Sequence, residues 1–278
     1  MTNILSCVCL YDQVKKYENS ILESMKNQSI PTDILIVDDY DEYTLDNDNP
    51  RYRIYKNHEK SISEIREFCI KYALENEYEY IAFFDSDDIY CKKRLELCIK
   101  KMEDEHSDIC VHNMTVVDEN EEIIRESFFD INFNYLDKIE KNILKFNFIG
   151  LGNSVYKVKK MKNMPKCPNH LIYDWWLAIH LIYINKCRCL ISFETLSQYR
   201  QYGNNLANIV TIDKDNIYKE YIIKLGLYYQ LLLEDNINIE KNDIIKLIQN
   251  ISLNYQKCNI TTNSNQCCWW NYLNEEEK

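Results

Sequence analysis

Glycine and proline are scarce, at four residues each in 278. That excludes collagen-like repeats, proline-rich segments and Gly/Ser linkers. Basic residues are outnumbered too: 33 Lys and Arg stand against 44 Asp and Glu, a formal net charge of −11. Nothing forms the basic stripe that neutralises a phosphate backbone, so nucleic acid is not an expected partner. No apolar run approaches the roughly 20 residues that span a bilayer, which leaves peripheral contact as the one kind of membrane association to expect. The first residues, MTNILSCVCLYDQ, lack the basic segment of a secretory signal and read as a strand.

Twelve cysteines are present, but their positions (7, 9, 69, 91, 98, 110, 167, 187, 189, 258, 267, 268) contain no CxxC pair and no zinc-type spacing with histidine. Reduced thiols acting as small buried hydrophobes in a cytoplasmic protein are the expectation. The hydrophobic fraction of 46% and aromatic fraction of 13% belong to a folded globule.

Residues 3–9 form a short apolar strand, and Tyr17, Ile21 and Met25 recur on one face of a helix over 16–27. DILIV (33–37) has the composition of a buried parallel strand and runs into Asp38-Asp39. RYRIY (51–55) is a third strand. Ser61-Ile62-Ser63-Glu64 is a capping box that opens the next helix. YIAFF (80–84) is a fourth strand and runs straight into Asp85-Ser86-Asp87-Asp88, followed by a helix over 92–103 and a strand over 108–114. This alternation predicts an α/β fold with a mostly parallel sheet and flanking helices. Ligands of such sheets lie at the carboxyl ends of the strands, where both acidic clusters fall.

Beyond residue 115 the pattern is mixed: strands over 122–129, 148–157 and 187–193, and helices over 173–184, 212–234 and 240–253. Three regions follow: 1–115, 116–210, and a helical C-terminal segment over 211–278.

An Asp-x-Asp after a buried strand offers two carboxylates to one Mn²⁺ or Mg²⁺, with diphosphate oxygens and water completing the octahedron. The cation also reconciles an acidic protein with an anionic nucleotide. The same residues could equally cap the following helix. Asp38-Asp39 could accept a hydrogen bond from the N3–H of a pyrimidine, or close an Asx turn. Arg66 could reach a diphosphate oxygen, or pair with Glu64 or Glu67. Asp174, beside Trp175 and Trp176, could deprotonate an acceptor sugar stacked on those rings, or serve as a helix N-cap. The five histidines show no i, i+4 pair and receive no catalytic role.

In this order, IVDD (36–39), Arg66, FFDSDD (83–88) and YDWW (173–176) resemble family 2 glycosyltransferases of the GT-A fold, over roughly residues 3–205. YDWWLA and YRQYGNN (199–205) are similar to segments of bacterial rhamnosyltransferase-type members, which build surface polysaccharide. The resemblance implies Cys9, Tyr11, Asp38, Asp39, Arg66, Asp85 and Arg200 at the nucleotide, and Asp87 and Asp85 at the metal with Asp88 in support. It implies Asp174 as general base, with Trp175, Trp176, Gly152 and Asn204 near the sugars. The donor is then a UDP- or dTDP-hexose such as dTDP-rhamnose, and the acceptor a glycan or lipid-linked glycan. Departures are Leu10-Tyr11-Asp12 for Thr-Tyr-Asn, Glu67 in the helix motif, and Tyr202 where a histidine is expected. A nucleotidyltransferase and a nucleotide-sugar-binding scaffold without turnover are the alternatives.

Overall fold

The computed structural model describes residues 3–39, 51–56, 61–129, 139–202, 205–207, 209, 213–257 and 268–273. Among the described residues nine strands form one sheet. They are β1 (Ile4–Leu10), β2 (Asp33–Asp38), β3 (Tyr52–Lys56), β4 (Tyr80–Phe84), β5 (Ile89–Tyr90), β6 (Ile109–Val117), β7 (Ile123–Arg125), β8 (Ser154–Lys157) and β9 (Cys189–Arg200). Their order is β3-β2-β1-β4-β8-β6-β9-β5, with β7 paired to β6. The first four are parallel; β8 runs antiparallel to both β4 and β6, and the sheet becomes mixed from there.

Seven α-helices of the described residues cover it: α1 (Glu18–Lys26), α2 (Ile62–Glu75), α3 (Arg94–Asp104), α4 (Ile139–Ile143), α5 (Tyr173–Tyr183), α6 (Lys214–Leu233) and α7 (Lys241–Lys257). Alternate residues of each strand serve opposite faces. Ile4 and Val8 of β1, with Tyr80, Ala82 and Phe84 of β4, pack with Ile21 of α1 and Leu95 and Cys98 of α3. Leu5, Cys7, Ile81 and Phe83 point the other way, into a larger core with Ile65 and Cys69 of α2 and most of α5. No described helix is long and apolar enough to cross a membrane.

The capping box forms as expected: Ser61 Oγ accepts from the Glu64 N–H, and Glu64 Oε2 accepts from the Ser61 N–H. Seven of the ten described cysteines are buried as small core residues. Three expected strands differ in extent. Over 148–157 only Ser154–Lys157 pairs, because the Asn153 side chain turns the preceding segment by accepting the Gly150 N–H. Over 122–129 pairing stops at Arg125, and Phe128 and Phe129 turn into the core, where Asn113 Oδ1 accepts the Phe129 N–H. The strand expected over 187–193 continues to Arg200, held between β6 and the short β5.

The chain passes from β1 to β2 and β3 on one side, then returns to β4 on the other side of β1. Such a switch point leaves a crevice at the strands' carboxyl ends. Leu10 lies opposite Asp38 and Val8 opposite Phe84, so Tyr11, Asp39 and Asp85 emerge at one edge.

The last described residues are tied back to α6. Glu220, fully buried, pairs with buried Lys224 at 2.8 Å and accepts the N–H groups of Tyr272 and Leu273. Removing one partner of a buried pair leaves an uncompensated charge. Glu220→Ala is therefore expected to destabilise the fold by about 3–5 kcal/mol. Lys246→Ala, which breaks an exposed pair with Asp243, should cost no more than about 0.5 kcal/mol. Urea unfolding of both variants checks this, and equal effects would contradict it.

Candidate active site

A cleft of about 1430 Å³ opens at the switch point. Cys9 and Tyr11 line it from the end of β1, Arg66 from α2, and Asp85, Asp87 and Asp88 from the turn after β4. Gly150, Leu151 and Gly152 close one wall, with Asp174 from the first turn of α5. Tyr202, Trp269 and Trp270 complete it from the C-terminal side.

Two buried arginines hold the acid turn. Arg94 is fully buried, and its guanidinium donates to the carbonyls of Phe83, Gly152 and Ser154 and to His112 Nε2. It lies over the rings of Phe84 and Tyr90, and the Tyr90 hydroxyl accepts the Asp85 N–H at 2.8 Å. Burial, reinforced by Arg94, lowers the His112 pKa to about 3, so its ring stays neutral and free to accept. Arg200 acts from the other side: its N–H donates to Asp88 Oδ1 and its Nε to the Asp87 carbonyl.

Between these clamps the carboxylates are crowded. Burial first, with Asp174 and Asp87 adding repulsion against the pull of Arg66, raises Asp85 from 3.8 to about 7. Burial, with Asp87 and Asp85 adding repulsion, pushes Asp88 well up. Asp85 presses against Gly152, where an added Cβ would stand 2.1 Å from its Oδ2, so a residue without a side chain is required there. No group of three or more His, Cys, Asp or Glu able to hold a metal occurs among the described residues. The donor set fits a hard divalent cation nonetheless: Asp85 and Asp87 give two carboxylates in an acid-rich pocket, and ligand oxygens and water would supply the rest. When bound, such a cation would neutralise the pocket and the charge of a departing diphosphate.

Asp174 does not cap its helix; α5 begins after Ile172 with no side-chain cap. Its Oδ1 instead pairs with Arg66 NH1 at 2.6 Å, and its Oδ2 accepts the Leu151 N–H at 3.3 Å. Arg66 thus faces both Asp174 and Asp85, while Glu64 bonds to Ser61 and Glu67 to the Cys167 N–H. Burial pushes the Cys9 thiol up to about 12, against a hydrogen bond to Tyr11, and Asp39 is among the nearby charges. Asp38 is buried at the end of β2, and Asp39 is exposed beside it.

Several expectations are corrected. Trp175 and Trp176 are 0% and 1% exposed and offer no face to a sugar. Trp175 donates to the Ile143 carbonyl, and Trp176 packs on His180. The cause is that α5 is apolar nearly all round and sits inside the core, so only its first turn reaches the cleft. Arg200 is 1% exposed with its guanidinium spent on Asp87, Glu119 and Glu121, so it braces the turn and does not face a diphosphate. Gly152 lines the cleft, and Asn204 lies outside the described residues. Sequence reasoning missed Arg94, which carries no motif, and the Tyr202 hydroxyl, which donates to Asp87 Oδ2. Trp269 and Trp270 carry no motif either, yet both line the cleft.

The raised Asp85 fixes a pH signature for the metal-free protein. Its protonated form stabilises the fold fully below pH 3.8, and that contribution is lost as pH rises through about 7. Asp85→Asn cannot ionise, so its stability relative to the wild type should rise progressively between about pH 4 and pH 7, by up to about 4 kcal/mol. Melting temperatures in chelator test this; a difference that does not change with pH would contradict it.

A family model for Glycosyl transferase family 2 matches residues 7–163. The fold is similar to that of S. aureus TarS residues 1–349 in complex with UDP-GlcNAc, with TM-score 0.59 and 18% identity over 92% of this chain and 72% of that one. It is also similar to the mannosyltransferase PcManGT from Pyrobaculum calidifontis in complex with GDP-Man and Mn²⁺, with TM-score 0.54 and 10% identity over 88% and 67%. No curated protein matches the sequence. The family match spans more than half of the chain, over the strands and the acid turn that shape the cleft, and the chain belongs to glycosyl transferase family 2.

Proposed function

We propose that this chain is a metal-dependent, inverting hexosyltransferase that moves a sugar from a UDP- or dTDP-linked donor to a glycan or lipid-linked glycan hydroxyl. Surface polysaccharide synthesis at the cytoplasmic side is the setting this implies, and dTDP-rhamnose is one donor to test. The observation that carries the reading is the convergence of Asp85 and Asp87 with Asp174 and Arg66 in one cleft at the β1/β4 switch point.

The roles divide by chemistry. Cys9 and Tyr11 line the nucleoside side, where Asp39 would accept from the base and Asp38 would support its loop. Asp87 and Asp85 would hold the cation at the diphosphate, with Asp88 fixing the turn through the Arg200 N–H. Arg66 sits between Asp85 and Asp174, placed to balance the negative charge of a diphosphate. Asp174 takes the proton of the acceptor hydroxyl as its oxygen attacks the anomeric carbon, and the nucleoside diphosphate leaves from the opposite face. Separating base and leaving group across the sugar gives inversion. Both solved relatives carry a nucleotide sugar in their complexes, and one of them Mn²⁺, which supports the donor class.

With a panel of UDP- and dTDP-sugars and Mn²⁺, the wild type should transfer or hydrolyse at least one donor, and Asp87→Ala should abolish this. Asp174→Asn should lower kcat by about 10²–10⁴ while leaving donor affinity near the wild-type value. No turnover by the wild type with any donor would remove the reading. Tight metal-dependent nucleotide binding without turnover would leave a binding scaffold instead.

A further inference from the structure

Two residues near the end of β9 reach the acid turn with different chemistry. Arg200 binds its main chain, through the Asp87 carbonyl, and closes it with an N–H to Asp88. Tyr202 reaches the functional carboxylate itself: its hydroxyl donates to Asp87 Oδ2 at 2.7 Å. Among the described residues this is the one side-chain donor placed on Asp87.

Tyr202 is well fixed for this. Its N–H donates to Asn205 Oδ1, and Asn205 Nδ2 donates back to the Arg200 carbonyl. The adjacent Gln201 is pinned at both levels, its N–H on the Val117 carbonyl and its Oε1 under the Ile209 N–H. The Tyr202 ring is tilted against Tyr17, itself covered by the Arg200 guanidinium. A half-buried side chain with this much support, facing a cleft, holds its hydroxyl in one place.

We propose that Tyr202 is a positioning residue for the cation site, its phenol holding one oxygen of Asp87 so that the other is presented to the metal. The proposal rests on the reading of Asp87 as a metal ligand given above. Hydrogen bonds to a ligating carboxylate fix its rotamer and raise its affinity for the metal, and losing one typically costs about 10–100-fold. Tyr202 acts here as a donor to the ligand and not as a ligand.

The test is Tyr202→Phe, which keeps the ring and removes the hydroxyl. Mn²⁺ is titrated into the full chain with saturating UDP, and separately dTDP, and binding is read by calorimetry and by water-proton relaxation of the bound ion. The Kd for Mn²⁺ should rise about tenfold or more, with the melting temperature in chelator and the metal-free nucleotide affinity unchanged. An Mn²⁺ affinity within twofold of wild type would overturn the proposal. Tighter binding would overturn it too, since the phenol would then be competing with the cation. So would a fall in melting temperature that accounts for the lost affinity, which would make the residue structural. Failure of the wild type to bind Mn²⁺ with either nucleotide would remove the metal reading itself, an outcome distinct from all of these.

Discussion

Holding four acidic and polar residues at the end of a buried strand is the constraint that organises this protein. Arg66 is the cleft-side cation that bears on Asp85, and one guanidinium cannot pair every carboxylate of the Asp85–Asp88 turn, so ion pairing alone does not set its geometry. It comes from the main chain. Arg94 gathers the carbonyls on either side of the turn, at Phe83 and Gly152, into one guanidinium. Burying that charge costs several kcal/mol of lost hydration, which the neutral His112, three carbonyls and two aromatic faces offset. Because the carbonyls carry the restraint, the carboxylates of Asp85 and Asp87 stay available for a ligand.

The same clamp joins regions far apart in sequence. Arg94 belongs to α3, yet it fixes the 150–154 segment against the turn after β4, and Gly152 lets Asp85 lie flat against that segment. A chain with four glycines in all spends two of them, Gly150 and Gly152, on this wall. Each is there because a side chain would strike a neighbour: the Trp269 ring in one case and the Asp85 carboxylate in the other. The scarcity of glycine elsewhere is consistent with a fold whose remaining turns are closed by Asn and Asp side chains, as at Asn153, Asp118 and Asn205.

The parallel half was legible because period and composition report burial directly. YIAFF is buried at every position and DILIV at all but its first, and the acidic residues that follow fall at strand ends because charge cannot continue into the core. The capping box at Ser61 is equally local. What could not be read depends on contacts between distant segments. Arg94 sits in CKKRLEL, where nothing distinguishes it from its two exposed lysine neighbours, yet it alone faces inward. Arg200 looks like a loop cation because its loop is polar, but β9 continues to Arg200 and carries it into the body. The aromatic pair beside Asp174 misleads for a related reason. A helix apolar on every side has no face to spare for a ligand, and Trp175 and Trp176 follow their neighbours into the core.

Trp269 and Trp270, at the end of the described chain, are among the aromatic residues that line the cleft, and they tie it to the C-terminal helices. Trp269 pairs through its backbone with Asn147 and lays its ring against Gly150. One residue on, the Leu151 N–H holds Asp174 Oδ2, so the Trp269 ring bears on the segment that aims this carboxylate. Trp269 is kept in place by Phe128 and Tyr199 on one side, and three residues later Glu220 of α6 takes the Tyr272 N–H. Contacts thus run from a buried carboxylate in the helical segment to a cleft carboxylate on α5 through packed groups and no shared helix. Contacts of this kind bring a segment outside the matched family region to the same cleft. The family match ends at residue 163, while Asp174, Tyr202 and Trp269 all lie beyond it and all line the same cleft.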